Sequence, residues 1–373
     1  MRLRSILSEA LRNIGSGTTH ALAMAIIVLL IGTLMGGYEA MSVVGLENEA
    51  VGRINAFADT KTLIGSGDDI DGSACDRLAS TSTTNPVRSG AVREGGQITP
   101  NSTPGKDIAS YEVTPGMLRL ITANGSDTGS AAGKTNTTRA DASGIWVSKD
   151  VAHDFGLAQG SKLETTTGTA TIAGVFSWPN DGRDTRFAYA LLIPASASGN
   201  AFDECWVKQW PTSGKSDSLL YSTVIAQDED GKPAGITALN KGFDSHYDGQ
   251  ASYASRMTRM MPWLALVLGL LLGILSVRQR RLEYAGALHS GESKDAQLLT
   301  VATETLVWSL VGTIGAASLL VAYCVRLAPS DQLAVCLTSI RSPLALCAGA
   351  LLGAMLATLT IKESQLFRYF KNR

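Results

Sequence analysis

Two stretches of this chain carry residue types at spacings that could do chemistry. Gly129-Ser-Ala-Ala-Gly133-Lys134-Thr135 has the glycines, lysine and hydroxyl of a loop that cradles nucleotide phosphates. Such a loop needs four residues between its glycines and a helix after the lysine; here Thr128 stands where the first glycine belongs and no apolar helix follows. Nucleotide binding is not expected there, so energy for any powered process has to come from another chain. The second stretch runs Val277-Arg-Gln-Arg-Arg-Leu-Glu-Tyr-Ala-Gly-Ala-Leu-His-Ser-Gly-Glu-Ser-Lys-Asp-Ala-Gln, with Glu304 beyond it. It has the pattern of a short charged helix, a break at Gly291, a capping Ser293 and a further helix. The five cysteines show no CxxC spacing and no Cys/His cluster, which argues against a zinc site.

The elements that must position this charged stretch are apolar. Hydrophobic residues make up 45% of the 373 and gather at the two ends, while polar residues fill the middle. Ala21–Met41, Met260–Val277, Val301–Val325 and Pro343–Ile361 each reach or approach the length needed to cross a bilayer. The second is the shortest, and its helix is expected to start near Ala251. The first run is long for a signal peptide and lacks a small-x-small cleavage site around Gly36, Gly37 and Tyr38, so a retained helix is expected. Arg2, Arg4 and Arg12 precede the first span, Arg278, Arg280, Arg281 and Lys294 follow the second, and Lys362, Arg368, Lys371 and Arg373 follow the fourth. Basic residues concentrate on the cytoplasmic side, which places both termini and the 278–298 stretch inside and the long middle segment outside. Arg256 and Arg259 run against this trend.

The spans carry few ionisable groups: Glu39 near the outer end of the first, Glu304 near the inner end of the third, and no histidine. Ion-coupled carriers need such groups at mid-membrane, so their scarcity argues against a secondary transporter. Glu39 could meet a substrate from the outer leaflet or be an interfacial carboxylate reaching water. Gly32/Gly36, Gly269/Gly273 and Gly349/Gly353 form GxxxG pairs, each a candidate close-packing face within or between subunits. Leu3, Ile6, Leu7, Ala10, Leu11 and Ile14 recur at helical spacing, which suits a helix lying on the inner membrane surface or an extension of the first span.

The segment from about Glu47 to Gln250 alternates short β-type runs with turn residues. Strands are expected at Thr60–Ile64, Tyr111–Val113, Lys162–Thr167, Thr169–Phe176, Phe187–Ile193 and Tyr221–Ala226. Helices are expected at Ser148–Phe155 and Pro233–Lys241, and a mobile loop at Asn124–Ser143. Cys75 and Cys205 fit either a disulfide, if this segment lies in an oxidising space, or two buried free thiols. Trp146, Trp178, Trp206 and Trp210 could line a binding surface or fill the core.

The charged stretch resembles the MacB/FtsX-like permeases, the type VII ABC transporter subunits. In that family a basic pair, a glutamate, a small-residue helix and a Gly-Ala/Glu-Ser turn follow the second membrane helix, with a glutamate inside the third. Arg280, Arg281, Glu283, Gly286, Gly291, Ser293 and Glu304 occupy those positions. The run from Ile145 to Leu163, followed by Ile172-Ala-Gly-Val and Leu192-Ile-Pro194, is similar to the family's outer core domain. Ser161 replaces the usual aspartate, and Lys362–Phe370 lacks the family's Pro-x-x-x-Ala tail, so the end of the fourth helix is expected to meet its ATPase differently.

The resemblance implies a membrane protein in which four transmembrane α-helices carry a large α+β extracytoplasmic, MacB-like domain inserted between helices 1 and 2. Its expected parts are an amphipathic helix at 1–19, spans at 20–44, 256–277, 299–325 and 342–361, an outer domain at 45–255, a coupling helix at 278–298, a short outer loop at 326–341 and a cytoplasmic tail at 362–373. It also implies a non-catalytic subunit of the cell membrane, dimeric with an identical or paralogous permease and surrounded by lipid. The coupling helix would sit on an ABC ATPase dimer that binds the ATP and Mg; no cofactor is expected in this chain. The expected outputs are efflux of a peptide, antibiotic or lipophilic compound, mechanical signalling through an extracytoplasmic partner protein to a wall hydrolase or sensor kinase, or lipoprotein extraction. A net charge of −1 gives no footprint for nucleic acid.

Overall fold

A computed structural model describes residues 3–65, 67–80, 86–122, 142–212, 214–225, 234–244, 247–328 and 331–362. The phosphate-loop look-alike, nearly all of the loop expected at Asn124–Ser143 and most of the C-terminal tail lie outside the described residues. The chain divides into two compact units, one of Met1–Asn48 with Gln250–Arg373 and one of Glu49–Gly249. Helix α1 is Leu3–Gly15 and α2 is Ala21–Asn55. Between them Gly17 has φ +77° and His20 φ +48°, so α1 is a separate helix rather than an extension of the first span.

The Glu49–Gly249 unit contains β1 (Thr60–Ile64), β2 (Ile70–Asp71), α3 (Gly72–Arg77), β3 (Val87–Glu94), β4 (Ala109–Val113), α4 (Pro115–Thr122), β5 (Ile145–Ser148), α5 (Lys149–Phe155), β6 (Lys162–Thr165), β7 (Gly168–Phe176), β8 (Ala190–Pro194), β9 (Ala201–Phe202), β10 (Glu204–Gln209), α6 (Lys215–Tyr221) and β11 (Gly235–Ala238). Among the described residues the main sheet has the order β11-β1-β10-β3-β4-β8-β5-β7-β6. It is mixed, with parallel pairs at β4–β8 and β5–β7. Two expectations are corrected. The described part of the helix expected at Pro233–Lys241 is strand β11, because Lys61–Ile64 of β1 offers it an antiparallel edge. The strand expected at Tyr221–Ala226 is not formed: Tyr221 closes α6, whose Leu220 is buried at helical spacing, and Val224 makes only an isolated bridge to Ile70.

The core of this unit is aromatic. Phe57, Trp178, Phe187 and Trp206 are all buried, and Phe187 meets Trp206 edge-on with centroids 5.4 Å apart. Two of the four tryptophans are therefore core residues, while Trp210 stacks on Tyr247 at 6.0 Å. Cys75 of α3 and Cys205 of β10 are bonded to each other. The last turn of α2 ends inside this unit. Its final carbonyls lack helical partners, and three side chains supply them: Lys208 Nζ donates to Ile54 O at 2.5 Å, Arg183 Nη2 to Asn55 O at 2.8 Å, and Asn240 Nδ2 to Ala56 O at 2.7 Å. Two of these donors are cations, the charge that a helix C-terminus favours. Burial pushes Asp59, 3.3 Å from Lys208, above the usual carboxylate range and pulls Lys208 below the usual lysine range.

The other unit adds α7 (Gly249–Ser255), α8 (Met261–Gln279), α9 (Arg281–His289), α10 (Lys294–Leu327) and α11 (Gln332–Thr360). Among the described residues four helices are long and apolar enough to cross a membrane: Ala21–Asn55, Met257–Gln279, Lys294–Leu327 and Gln332–Thr360. The second is not continuous from Ala251, because Arg256 is extended (ψ 134°) and a 3-10 turn at Met257–Met260 precedes α8. Helix α2 is a long unbroken rod: its 35 residues span about 52 Å at 1.5 Å each, against roughly 30 Å of hydrocarbon.

The glycine pairs set the helix packing inside this chain. A Cβ on Gly269 or Gly273 would collide with the carbonyl oxygens of Leu346 and Ala350, and one on Gly349 or Gly353 with those of Leu266 and Leu270. The pairs of α8 and α11 thus face each other, which brings the backbones into direct contact. Gly32 and Gly36 of α2 face α10 and α11. A Cβ on Gly36 would lie 2.7 Å from the Ser339 carbonyl, the oxygen that Pro343 leaves without its helical amide. Glu39 does not reach water: it is 1% exposed, accepts from Ser342 Oγ at 3.0 Å and lies 3.7 Å from Arg256 Nη2. That ion pair accounts for an arginine that runs against the charge trend.

Candidate coupling site

The charged stretch forms α9, and its fixed point is a buried carboxylate on the neighbouring helix. Glu304, in the third turn of α10, is 4% exposed. Its Oε2 accepts from Arg280 Nη1 at 2.6 Å and from the Tyr284 hydroxyl at 3.3 Å, and its Oε1 accepts from Asn13 Nδ2 at 2.9 Å. One carboxylate therefore ties together α1, the α8–α9 corner and α10. A buried ion needs such multiple partners, because desolvation alone would exclude it.

Arg280 ends α8 and begins α9. Its Nε donates to Glu283 Oε2 at 2.7 Å and its Nη1 to the Tyr284 hydroxyl at 3.0 Å. Burial alone would lower the Arg280 pKa, but Tyr284, Glu304 and Glu283 outweigh it and hold it above the ordinary arginine value. Burial, reinforced by Glu304, pushes the Tyr284 hydroxyl well above the usual tyrosine range, so it stays a protonated donor. Beneath α9, Tyr284 and Ala285 pack on Val277, Val301, Ala354 and Ala357, and Gln297 Nε2 donates to the Tyr284 carbonyl at 2.9 Å. The opposite side of α9 shows Glu283, His289 and Ser290 to solvent.

The expected site residues divide by role. Arg280 meets both Glu283 and Glu304 directly, and Arg281 is half-buried at the first position of α9. Gly291 has φ +94°, a conformation that excludes most side chains, and turns the chain from α9 into α10. Ser293 is the N-cap of α10, its hydroxyl accepting from Ala296 N at 3.4 Å. Gly286 lies on α9 with open space where a Cβ would be. Tyr284, Gln297 and Asn13 were not expected. Tyr284 sits four residues after Arg280, a helical neighbour that spacing alone flags; Asn13 has no such signal.

No model of a known protein family matches this chain, and no curated protein matches it. Among solved structures, the periplasmic region of MacB from Actinobacillus actinomycetemcomitans aligns with 46% of this chain and 86% of its own, at 12% identity and a TM-score of 0.31. A domain of a protein described as a permease, from Porphyromonas gingivalis, aligns with 50% of this chain and 93% of its own, at 14% identity and a TM-score of 0.31.

Proposed function

We propose that this chain is the non-catalytic membrane subunit of an ABC-type machine, acting as a dimer with an identical or paralogous permease. A separate ATPase pair binds ATP and Mg and docks on α9, with both termini and α9 in the cytoplasm and the Glu49–Gly249 unit outside. The observation that carries this reading is the clamp on α9: a short helix with one face fixed by Arg280, Glu304 and Tyr284 and the other open. A helix held in this way transmits a push to α8 and α10 instead of bending. Its residues are also those that resemble the family's coupling helix. The most fitting output is efflux of a peptide, antibiotic or lipophilic compound.

A second output, mechanical signalling to a protein outside the cell, is favoured by one feature. The end of α2 is gripped by Lys208, Arg183 and Asn240, which suits a rod that delivers motion to the β-sheet unit. The experiment that tests the main reading is gentle detergent purification of the tagged chain, followed by an ATPase assay on whatever accompanies it. An ATPase that co-purifies and is lost with Arg281→Glu supports it. A chain that purifies alone, with no ATPase activity, overturns it.

A further inference from the structure

Three cysteines are free among the described residues: Cys324, Cys336 and Cys347. Cys324 lies in the last turn of α10 and Cys336 in the second turn of α11, on facing sides of the hairpin that joins these helices. Cys324 is fully buried, and Cys336 is half-buried and packs on the apolar cluster of Ala40, Val43, Val44, Cys324 and Val335. Cys324 Sγ lies 3.8 Å from Ser339 Oγ, and the Ser339 hydroxyl donates to the Cys336 carbonyl at 3.0 Å. Cys336 and Ser339 lie one helical turn apart, on the face of α11 that meets Cys324. Cys347 lies 11 positions beyond Cys336 on α11, about 16 Å along the axis, and is occupied with Ser309 Oγ at 3.4 Å. Only the Cys324–Cys336 pair is placed to react with itself.

The compartment decides whether it does. At this end of the hairpin Asp331 N donates to Glu47 Oε1 at 2.6 Å, so it lies beside the last residues of α2 before the β-sheet unit begins. The β-sheet unit itself carries the bonded pair Cys75–Cys205, and disulfides persist in oxidising spaces. In the orientation proposed above, on which this step rests, that space also meets the α10–α11 hairpin.

We propose that Cys324 and Cys336 are a second redox site, closing to an intrachain disulfide that ties the outer ends of α10 and α11. The oxidant is a disulfide donor of the outer space, either a thiol–disulfide oxidoreductase or a small-molecule disulfide. The half-buried Cys336 loses its proton and attacks one donor sulfur, forming a mixed disulfide and expelling one donor thiolate. Cys324 then loses its proton and attacks Cys336 Sγ, expelling the second donor thiolate. The two cysteines give up two electrons and two protons, and the donor disulfide becomes two thiols. A dithiol reductant reverses the reaction.

The test is thiol counting by mass spectrometry on the full chain, purified without reductant, denatured and alkylated, before and after incubation with oxidised glutathione. One alkylated cysteine, Cys347, is expected instead of three, with Cys324 and Cys336 recovered as a linked peptide. Cys336→Ser should restore alkylation of Cys324. Three alkylated cysteines after oxidised glutathione would overturn the proposal. A pair that is free as isolated but closes with oxidised glutathione would support its reactivity and overturn the outer placement of this end. That failure is distinct from loss of the co-purifying ATPase.

Discussion

Asn13 reaches Glu304 across 291 positions of sequence, its side-chain nitrogen 2.9 Å from the carboxylate. The same carboxylate holds Arg280 and Tyr284, so α1 and α9 share one anchor on α10. Helix α1 is thereby tied to the corner where α8 meets α9. Ala10, on the same helix, is completely buried.

The first prediction concerns that anchor. Removing Glu304 leaves Arg280 buried without its main partner, a situation that costs about 3–5 kcal/mol. Glu304→Ala should lower the melting temperature of the detergent-purified chain sharply. The double variant Arg280→Met with Glu304→Leu should recover most of the loss, because no uncompensated charge remains. A double variant as unstable as Glu304→Ala would contradict this.

Asn13→Ala removes one hydrogen bond to a charged group, worth about 1.5–3 kcal/mol. Since Arg280 and Tyr284 still hold Glu304, the global melt should move little. The local effect should be large: hydrogen exchange in α1 should rise while α10 stays protected. Unchanged protection in α1 would mean that Asn13 does not hold it.

The facing glycines of α8 and α11 leave no room for a side chain. Gly273→Leu should force the helices apart and yield aggregated or unstable protein, as overpacking by this volume costs at least about 1–3 kcal/mol. Gly286→Leu, where nothing lies within 4 Å of the added carbon, should purify normally. Size-exclusion profiles of the two variants check the contrast.

In the β-sheet unit, Asp71 caps α3 by accepting from Ser73 N at 2.8 Å and Ala74 N at 3.2 Å. Burial would raise its pKa, but the hydrogen bonds from Ser73 and Ala74 outweigh it and hold the carboxyl below the usual aspartate range. A lowered folded-state pKa means stability that is present above the unfolded value and lost as pH falls through the folded one. Asp71→Ala should therefore cost about 1 kcal/mol near neutral pH, with the gap to wild type narrowing in acid. Urea unfolding followed by tryptophan fluorescence at several pH values measures it.

The sequence made some of this legible and hid the rest for physical reasons. Apolar length marked the helices long enough to cross a membrane, and β1, β7 and α5 stood out because local alternation, glycine turns and the Ser148 cap agree with their final state. β11 was misread because the edge of β1, far away in sequence, decides its conformation. The break at Arg256 was invisible because no glycine or proline marks it, and the partner that holds Arg256, Glu39, lies in another helix. At the candidate site around α9, Arg280, Glu283 and Glu304 could be singled out by order and charge. Asn13 and Gln297 could not, since a neutral amide becomes significant only once the fold has brought a buried partner to it.

The most direct test of the central claim is a quantitative pull-down comparing the wild-type chain with Glu283→Lys, which reverses a charge on the open side of α9 without entering the core. The account predicts a wild-type chain that carries an ATPase and its activity, and a variant that loses one partner of Arg280, keeps the Arg280–Glu304–Tyr284 contacts and retains several-fold less of both. Equal recovery of ATPase with Glu283→Lys and with Arg281→Glu, or no ATPase with any of the three chains, would contradict the claim that α9 is where the driving subunit docks.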